Sequence, residues 1–455
     1  MAVLFSMPMA ALKSGASLAE PVSREQGPLP REAGLALTME QEHDTLRHLF
    51  QQEFSRMVAV ISKRFGLDHM ETAEDIVSET FLLATETWGI KGMPPNPTAW
   101  LYAVARQKTL YHFRRSRIFE TKVIPELASH QEGSDDPGDL DFSQQNIKDS
   151  QLQMLFAICA PSIASEAQIG LALRILCGFG IDEIAEALLS NKDAINKRLF
   201  RAKTRLRTDG LTMDLPSDGE MVRRLDNVLH ILYLLFNEGY YSRTDNQILR
   251  KDLCLEALRL ALILADYEKT NRPKTHALIA LMCFHASRFD ARQANDPGMP
   301  GLVLYEEQNE GLWDKELIHR GMHFLDRSAR GKEISSYHLE ARIAYWHCMK
   351  EDSREKWEDI LRLYDQLLLV NYSPGVLLNR IFALYKVHGP HAALKEAENL
   401  RLENSHFYFL LLGELYKTVD RDKARFNLQK AHSLAKTRTE REGIQRKIDS
   451  LEPSS

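Results

Sequence analysis

IDEIAEALLSNKDAINKRLFRAKTRLR, residues 181–207, holds two apolar stripes separated by a polar turn. Ile184, Ala185 and Leu188 form the first, Ile195, Leu199, Ala202 and Leu206 the second, with Ser190-Asn191 between them. Recurrence at three and four residues marks amphipathic helices. The stretch therefore predicts a short support helix, a tight turn and a longer second helix, which is helix-turn-helix spacing. From Lys192 onward seven cations (Lys192, Lys197, Arg198, Arg201, Lys203, Arg205, Arg207) stand against Asp193. Such a basic face suits a major groove, where phosphate contacts fix register and a few side chains read base edges. Asn196, Lys197 and Arg201 are the best-placed outward residues, and Lys192, Arg198 and Lys203 complete the candidate DNA-contacting set. A solvated basic face on a helical hairpin is the competing reading.

A second cationic segment lies upstream. Trp100–Arg117 carries Arg106, Lys108, Arg114, Arg115 and Arg117 and no acid, interleaved with Trp100, Tyr102, Tyr111, His112 and Phe113. Aromatic faces stack on unpaired bases while cations follow phosphates, as a protein holding melted DNA requires; aromatics that simply face a core are the alternative. Pro97 lies near the first turn of this helix, after a Gly/Pro-rich break. Helical apolar spacing fills 42–117, with Leu46, Leu49, Phe50, Phe54, Met57, Val58 and Ile61 on one stripe. Residues 118–149 hold eight acids against Lys122 and Lys148, with two prolines and two glycines, and read as an acidic linker. Helical periodicity returns over 150–208, a turn-rich linker spans 209–219, and 220–455 is helical throughout. Residues 1–41 read as a flexible leader, since the first twelve carry no Lys or Arg to make an export signal. No strand-like alternation occurs, so the expected fold is all-α.

The last region contains a degenerate repeat. Leu412, Gly413 and Tyr416, then Ala424, Leu428 and Ala431, follow the two halves of a tetratricopeptide pattern. Ala393, Ala397 and Leu400, and before them Ile360, Tyr364 and Leu367, repeat the spacing, whereas 220–340 does not conform. Small residues there let paired helices approach closely, leaving a face that only a neighbour can bury.

Composition sets outer bounds. The 455 residues include 58 Lys+Arg and 63 Asp+Glu, a net charge of -5. That total conceals +5 in Trp100–Arg117 and +6 in Lys192–Arg207, against -16 in the rest. Phosphate affinity follows the local count of cations that displace counterions, so the average does not exclude nucleic acid. No run reaches the ~18 apolar residues of a membrane helix. Five unpaired-looking cysteines (159, 177, 254, 283, 348) fit a reducing cytoplasm. No phosphate-cradling, nucleophile-elbow or dinucleotide motif occurs. His319 and His323 lack the glutamate of a zinc protease motif and read as a helix-surface pair, so neither catalysis nor a cofactor or metal is expected. In the extension, Asn237-Glu238-Gly239 reads as a helix cap with Gly239 left-handed, or else Asn237, Glu238, Tyr240 and Trp313 line a ligand groove.

With both cationic segments in hand, the chain resembles the bacterial extracytoplasmic-function sigma factors. AEDIVSETFLLATETW (73–88), NPTAWLYAVARQKTLYHFRRSR (96–117) and the 181–207 segment are similar to the sigma-2 and sigma-4 signatures. YLLFNEGYYS (233–242), DLCLEALRLA (252–261), ALIALMCFHASR (277–288), YEEQNEGLWD (305–314) and SPGVLLNRIFAL (373–384) resemble the subgroup with a large tetratricopeptide-like extension. The resemblance implies a dissociable subunit that brings core RNA polymerase to promoter DNA. Glu74, Asp75 and Glu79 would then face the polymerase. Trp100, Arg106, Gln107, Lys108, Tyr111, His112, Arg114 and Arg115 would hold the opened -10 element, and the second helix of the helix-turn-helix would enter the -35 major groove. The extension, binding a ligand or partner protein, would regulate the rest. Gln107, Tyr111 and Ser78 stand where the family often has Asn, Asp and Gln; the longer amide of Gln107 puts base choice at -10 in doubt, and Tyr111 could stack on a base instead of accepting a hydrogen bond. A tetratricopeptide scaffold and a conventional helix-turn-helix regulator are the alternatives.

Overall fold

The computed structural model describes residues 33–123, 140–188, 190–240, 247–292, 305, 308–435 and 438–451. Among the described residues the α-helices are α1 (Ala33–Phe65), α2 (Met70–Lys91), α3 (Pro97–Val123), α4 (Gln144–Ile158), α5 (Ser165–Leu171), α6 (Ile181–Ala187), α7 (Lys192–Thr208), α8 (Asp218–Tyr240) and α9 (Gln247–Asp266). They continue with α10 (Pro273–Ala286), α11 (Lys315–Ser328), α12 (Ser336–Trp346), α13 (Arg354–Val370), α14 (Pro374–His388), α15 (Pro390–Ala397), α16 (His406–Tyr416), α17 (Arg421–Leu434) and α18 (Arg438–Asp449). The fold is all-helical, as the periodicity implies. The leader falls outside the described residues as far as 32, and so does the linker over 124–139.

Two compact units divide the described chain at 231/232, inside α8, rather than at the 219/220 boundary expected from sequence. In the first unit, Phe54, Met57, Val58 and Ile61 of α1 are fully buried with Ala73, Val77 and Ala84 of α2 and Leu101 and Ala105 of α3. Local chemistry sets the ends. Gly92, with φ of +77°, accepts the turn that stops α2, and its N–H donates to the Trp88 carbonyl at 2.8 Å. The Asn96 side chain then accepts from the Ala99 N–H at 3.0 Å, with Pro97 opening α3. That helix runs on to Val123, and α4 already begins at Gln144, so helix intrudes on both ends of the 118–149 segment. Moreover, α4 packs on α1, with Gln151 donating to Ser55 Oγ at 3.3 Å and Lys63 to Asn146 Oδ1 at 2.8 Å. The two small domains expected from sequence thus share one unit.

In the second unit, α12 to α18 pack chiefly on their neighbours in sequence, over a core from Leu339 to Leu451. The small residues singled out above explain the closeness. Ala393, Ala397, Ala424 and Ala431 are fully buried. A Cβ on Gly413 of α16 would stand 2.6 Å from Leu428 Cγ of α17. Gly413→Val should therefore cost about 1–3 kcal/mol through overpacking, read as a lower unfolding midpoint of the full chain.

Candidate nucleic-acid interface

The helix-turn-helix forms where its two stripes meet. Ile184, Ile195, Leu199, Ala202 and Leu206 are at most 4% exposed. Asn191 caps α7, its Oδ1 accepting the Ala194 N–H at 2.8 Å, and Lys192 reaches back to Asp182 of α6 at 2.7 Å. Asn191→Ala should cost about 1 kcal/mol, visible as a lowered unfolding midpoint. With the apolar stripe inside, Lys192, Asn196, Lys197 and Arg201 lie exposed and Arg198 is half-buried. Phe200, which the sequence reading passed over, is 62% exposed among them. Its position outside the 195-199-202-206 stripe was the available signal.

On α3, Arg106, Gln107, Tyr111, His112, Arg114 and Arg115 are exposed, Tyr111 at 68%. The other aromatics of this segment face inward, as the alternative reading held. Trp100 packs edge-on to Trp88 at 5.3 Å, Phe113 stacks on Phe65 at 3.6 Å, and Tyr102 stacks on Phe142 at 4.8 Å. The Tyr102 hydroxyl also donates to buried Glu53, and burial together with that carboxylate pushes its pKa well up. Lys108 pairs with Glu79 of α2 at 2.9 Å.

The three candidate acids of α2 separate. Asp75 and Glu79 are exposed, on one helical face with Leu82 (61% exposed), Leu83, Glu86 and Ile90 (86%). Glu74 instead turns inward, where Lys203 Nζ meets its Oε2 at 2.6 Å and Arg174 Nε lies 3.6 Å from Oε1. Both partners of the 2.6 Å pair are largely covered, at 8% and 12% side-chain exposure. The structure thus corrects two expectations together: neither Glu74 nor Lys203 is presented to solvent.

In the extension Asn237-Glu238-Gly239 does not cap a helix. All three lie within α8, which runs on to Tyr240, and Gly239 is not among the positive-φ glycines. Nor do Tyr240 and Trp313 line an open groove: they are 0% and 3% exposed, while Asn237 and Glu238 are half-buried. Burial raises the Glu238 carboxyl above its ordinary range. The Arg292 guanidinium lies 3.9 Å from the Tyr240 ring centroid, with the His285 ring at 4.6 Å. Trp313 adjoins Tyr305, against which Arg288, Lys356 and His347 also pack. Burial, with Arg288 close to both rings, holds His285 and His347 well below the usual imidazole range. Burial likewise brings Lys356 down to about 8. His319 and His323 are exposed on α11, and the described residues contain no cluster suited to a metal. No described helix is long and apolar enough to cross a membrane.

Residues 50–118, which span the second half of α1, all of α2 and most of α3, match the family Sigma-70 region 2, and 224–329 match a family of unknown function, DUF6596. The chain therefore carries region 2 of the sigma-70 factors, which act with RNA polymerase at promoters. It belongs to the same family as an uncharacterized protein of Rhizobium meliloti (strain 1021), with 33% identity over 390 residues covering 84% of this chain and 90% of that one. No solved structure matches the chain.

Proposed function

We propose that the chain is a sigma factor of the extracytoplasmic-function type, working in the cytoplasm, whose tetratricopeptide-like extension regulates it. The exposed face of α2 (Asp75, Glu79, Leu82) docks on core RNA polymerase. The exposed face of α3 holds the opened -10 element: Arg106, Lys108, Arg114 and Arg115 follow phosphates, while Gln107, Tyr111 and His112 meet bases. On α7, Asn196 and Arg201 read -35 base edges, with Lys192, Lys197 and Arg198 on the backbone. The observation that carries this reading is the pairing, within one compact unit, of the acid-free 100–117 stretch of α3, exposing cations beside Tyr111, with a capped helix-turn-helix exposing cations beside Asn196. Asn237, Glu238, Tyr240 and Trp313 belong to the extension that answers a ligand or partner protein.

Run-off transcription with core polymerase tests it. Promoter-specific transcripts are expected from DNA that the tagged protein captures, and none with the extension alone. Absence of any promoter-specific product would favour a scaffold role.

A further inference from the structure

His285, Arg288 and Arg292 follow one another at three- and four-residue steps, on one face of α10 and of the turn Asp290–Arg292 that continues it. The backbone keeps coiling past the end of α10. The Arg288 N–H donates to the His285 carbonyl at 3.3 Å, and the Arg292 N–H to the Arg288 carbonyl at 3.1 Å. Both arginines lie inside the extension, at 5% and 8% exposure. Burying a guanidinium is expensive unless an anion accompanies it.

Arg292 has no such anion among the described residues. Its guanidinium lies over the fully buried Tyr240 ring, and its Nη1 is enclosed without a hydrogen-bond partner. A ring face attracts a cation but does not neutralise it. The acids nearest in sequence are engaged elsewhere or stand apart. Asp290, between the two arginines, is exposed and holds Lys251 at 2.8 Å. Glu238, two residues before Tyr240, has its carboxyl raised by burial, the opposite of what a paired guanidinium would do. His285 Nδ1, on a ring 4.6 Å from that of Tyr240, is likewise enclosed and unpartnered. Burial and both arginines keep that ring neutral. An arginine and a histidine thus converge, each with an unused nitrogen, where positive charge is in excess.

We propose that His285, Arg288 and Arg292, with Tyr240 beside them, form a binding site for an oxyanion, the phosphate or carboxylate group of a small molecule. Arg292 meets the anion with the planar fork that suits either group. Arg288 adds a second positive charge from one turn away, and His285 donates from Nδ1. Phe236, stacked on Tyr240 at 5.7 Å and 6.4 Å from the His285 ring, offers an apolar wall to the rest of the molecule. His285 is only half-buried, so the site lies just beneath the surface. The inference deepens the reading of the extension as the part that answers a ligand, but the binding itself needs no polymerase.

Titration calorimetry on the full chain tests it, with inorganic phosphate in one arm, acetate in the other and chloride balancing the ionic strength. A saturable one-site heat is expected, and the tighter arm identifies the group. Arg292→Met keeps the length without the charge and should weaken that anion at least about tenfold, through loss of a charge-assisted hydrogen bond. Without anion this variant should unfold no more easily than wild type, since it removes an uncompensated buried charge. His285→Phe keeps a ring and should weaken the same anion at least about threefold; it decides the matter if Arg292→Met does not fold. No saturable heat with either anion overturns the proposal, and so does wild-type affinity in the variants. An anion that binds at Arg292 yet leaves run-off transcription unchanged overturns the regulatory reading of the extension instead, and keeps the site.

Discussion

Replacing both Leu82 and Ile90 with aspartate lowers the affinity of the full chain for core RNA polymerase at least about thirtyfold, with its unfolding midpoint nearly unchanged. The two side chains are 61% and 86% exposed, so their loss removes little from the core, and exposed substitutions of this kind shift stability by only about 0.5 kcal/mol. They lie on one face of α2 with Asp75, Glu79 and Glu86, a stripe that alternates acid and hydrocarbon. In an interface, apolar anchors of this sort contribute about 2 kcal/mol or more each, and an unpaired carboxylate in their place adds a desolvation cost. Two kilocalories correspond to roughly thirtyfold in affinity. Binding assays against core polymerase read the effect; equal affinity of variant and wild type would remove α2 from the docking surface.

The second large effect concerns the extension and pH. Glu340 of α12 is enclosed so that its Oε1 has no hydrogen-bond partner, and its Oε2 accepts the Tyr233 hydroxyl at 3.0 Å. Burial raises its pKa to about 7, from an ordinary 4.5. The folded extension therefore holds a proton between these values that the unfolded chain has released, and stability falls as pH rises through that window. Stabilisation is fully present below about pH 4.5 and is lost above about pH 7, a change of about 3 kcal/mol at 1.36 kcal/mol per pKa unit. Glu340→Gln, uncharged at every pH, removes this dependence and should leave the extension about 2–3 kcal/mol more stable at pH 8. Denaturant midpoints of both forms at pH 5 and pH 8 measure it; parallel behaviour at the two pH values would show that the carboxyl is ionised in the folded state.

Much of the fold was legible because helices announce themselves locally. Of the first stripe α6 buries Ile184 and Ala185, with Leu188 half-buried just past its end, α7 buries the whole 195-199-202-206 stripe, and Ser190-Asn191 marks the turn because Asn191 satisfies a free helix N–H. Gly413 and Ala424 were readable as a close helix approach for the same reason: only small side chains permit it. Other features needed information that no window contains. Glu74 lies beside Val77 and Phe81 on the inward stripe of α2, so its burial could have been inferred, but the cation that meets it stands 129 residues away. The Asn-Glu-Gly stretch misled because glycine after a helix usually caps it. Here the helix continues one residue further, to Tyr240, which is buried against His285 and Arg292.

The sequential packing of α12 to α18 also bears on how damage would spread in this chain. Where each helix answers mainly to its neighbours, a cut or frameshift near the carboxyl end strips away the last hairpin and exposes one fresh apolar face, rather than dissolving the whole array. Contacts between elements close in sequence also form quickly, because little loop entropy has to be overcome first. The distal part of the extension is thus able to vary in length over evolutionary time, each change confined to its own end, while Trp313 and Tyr240 stay housed in the part that is left.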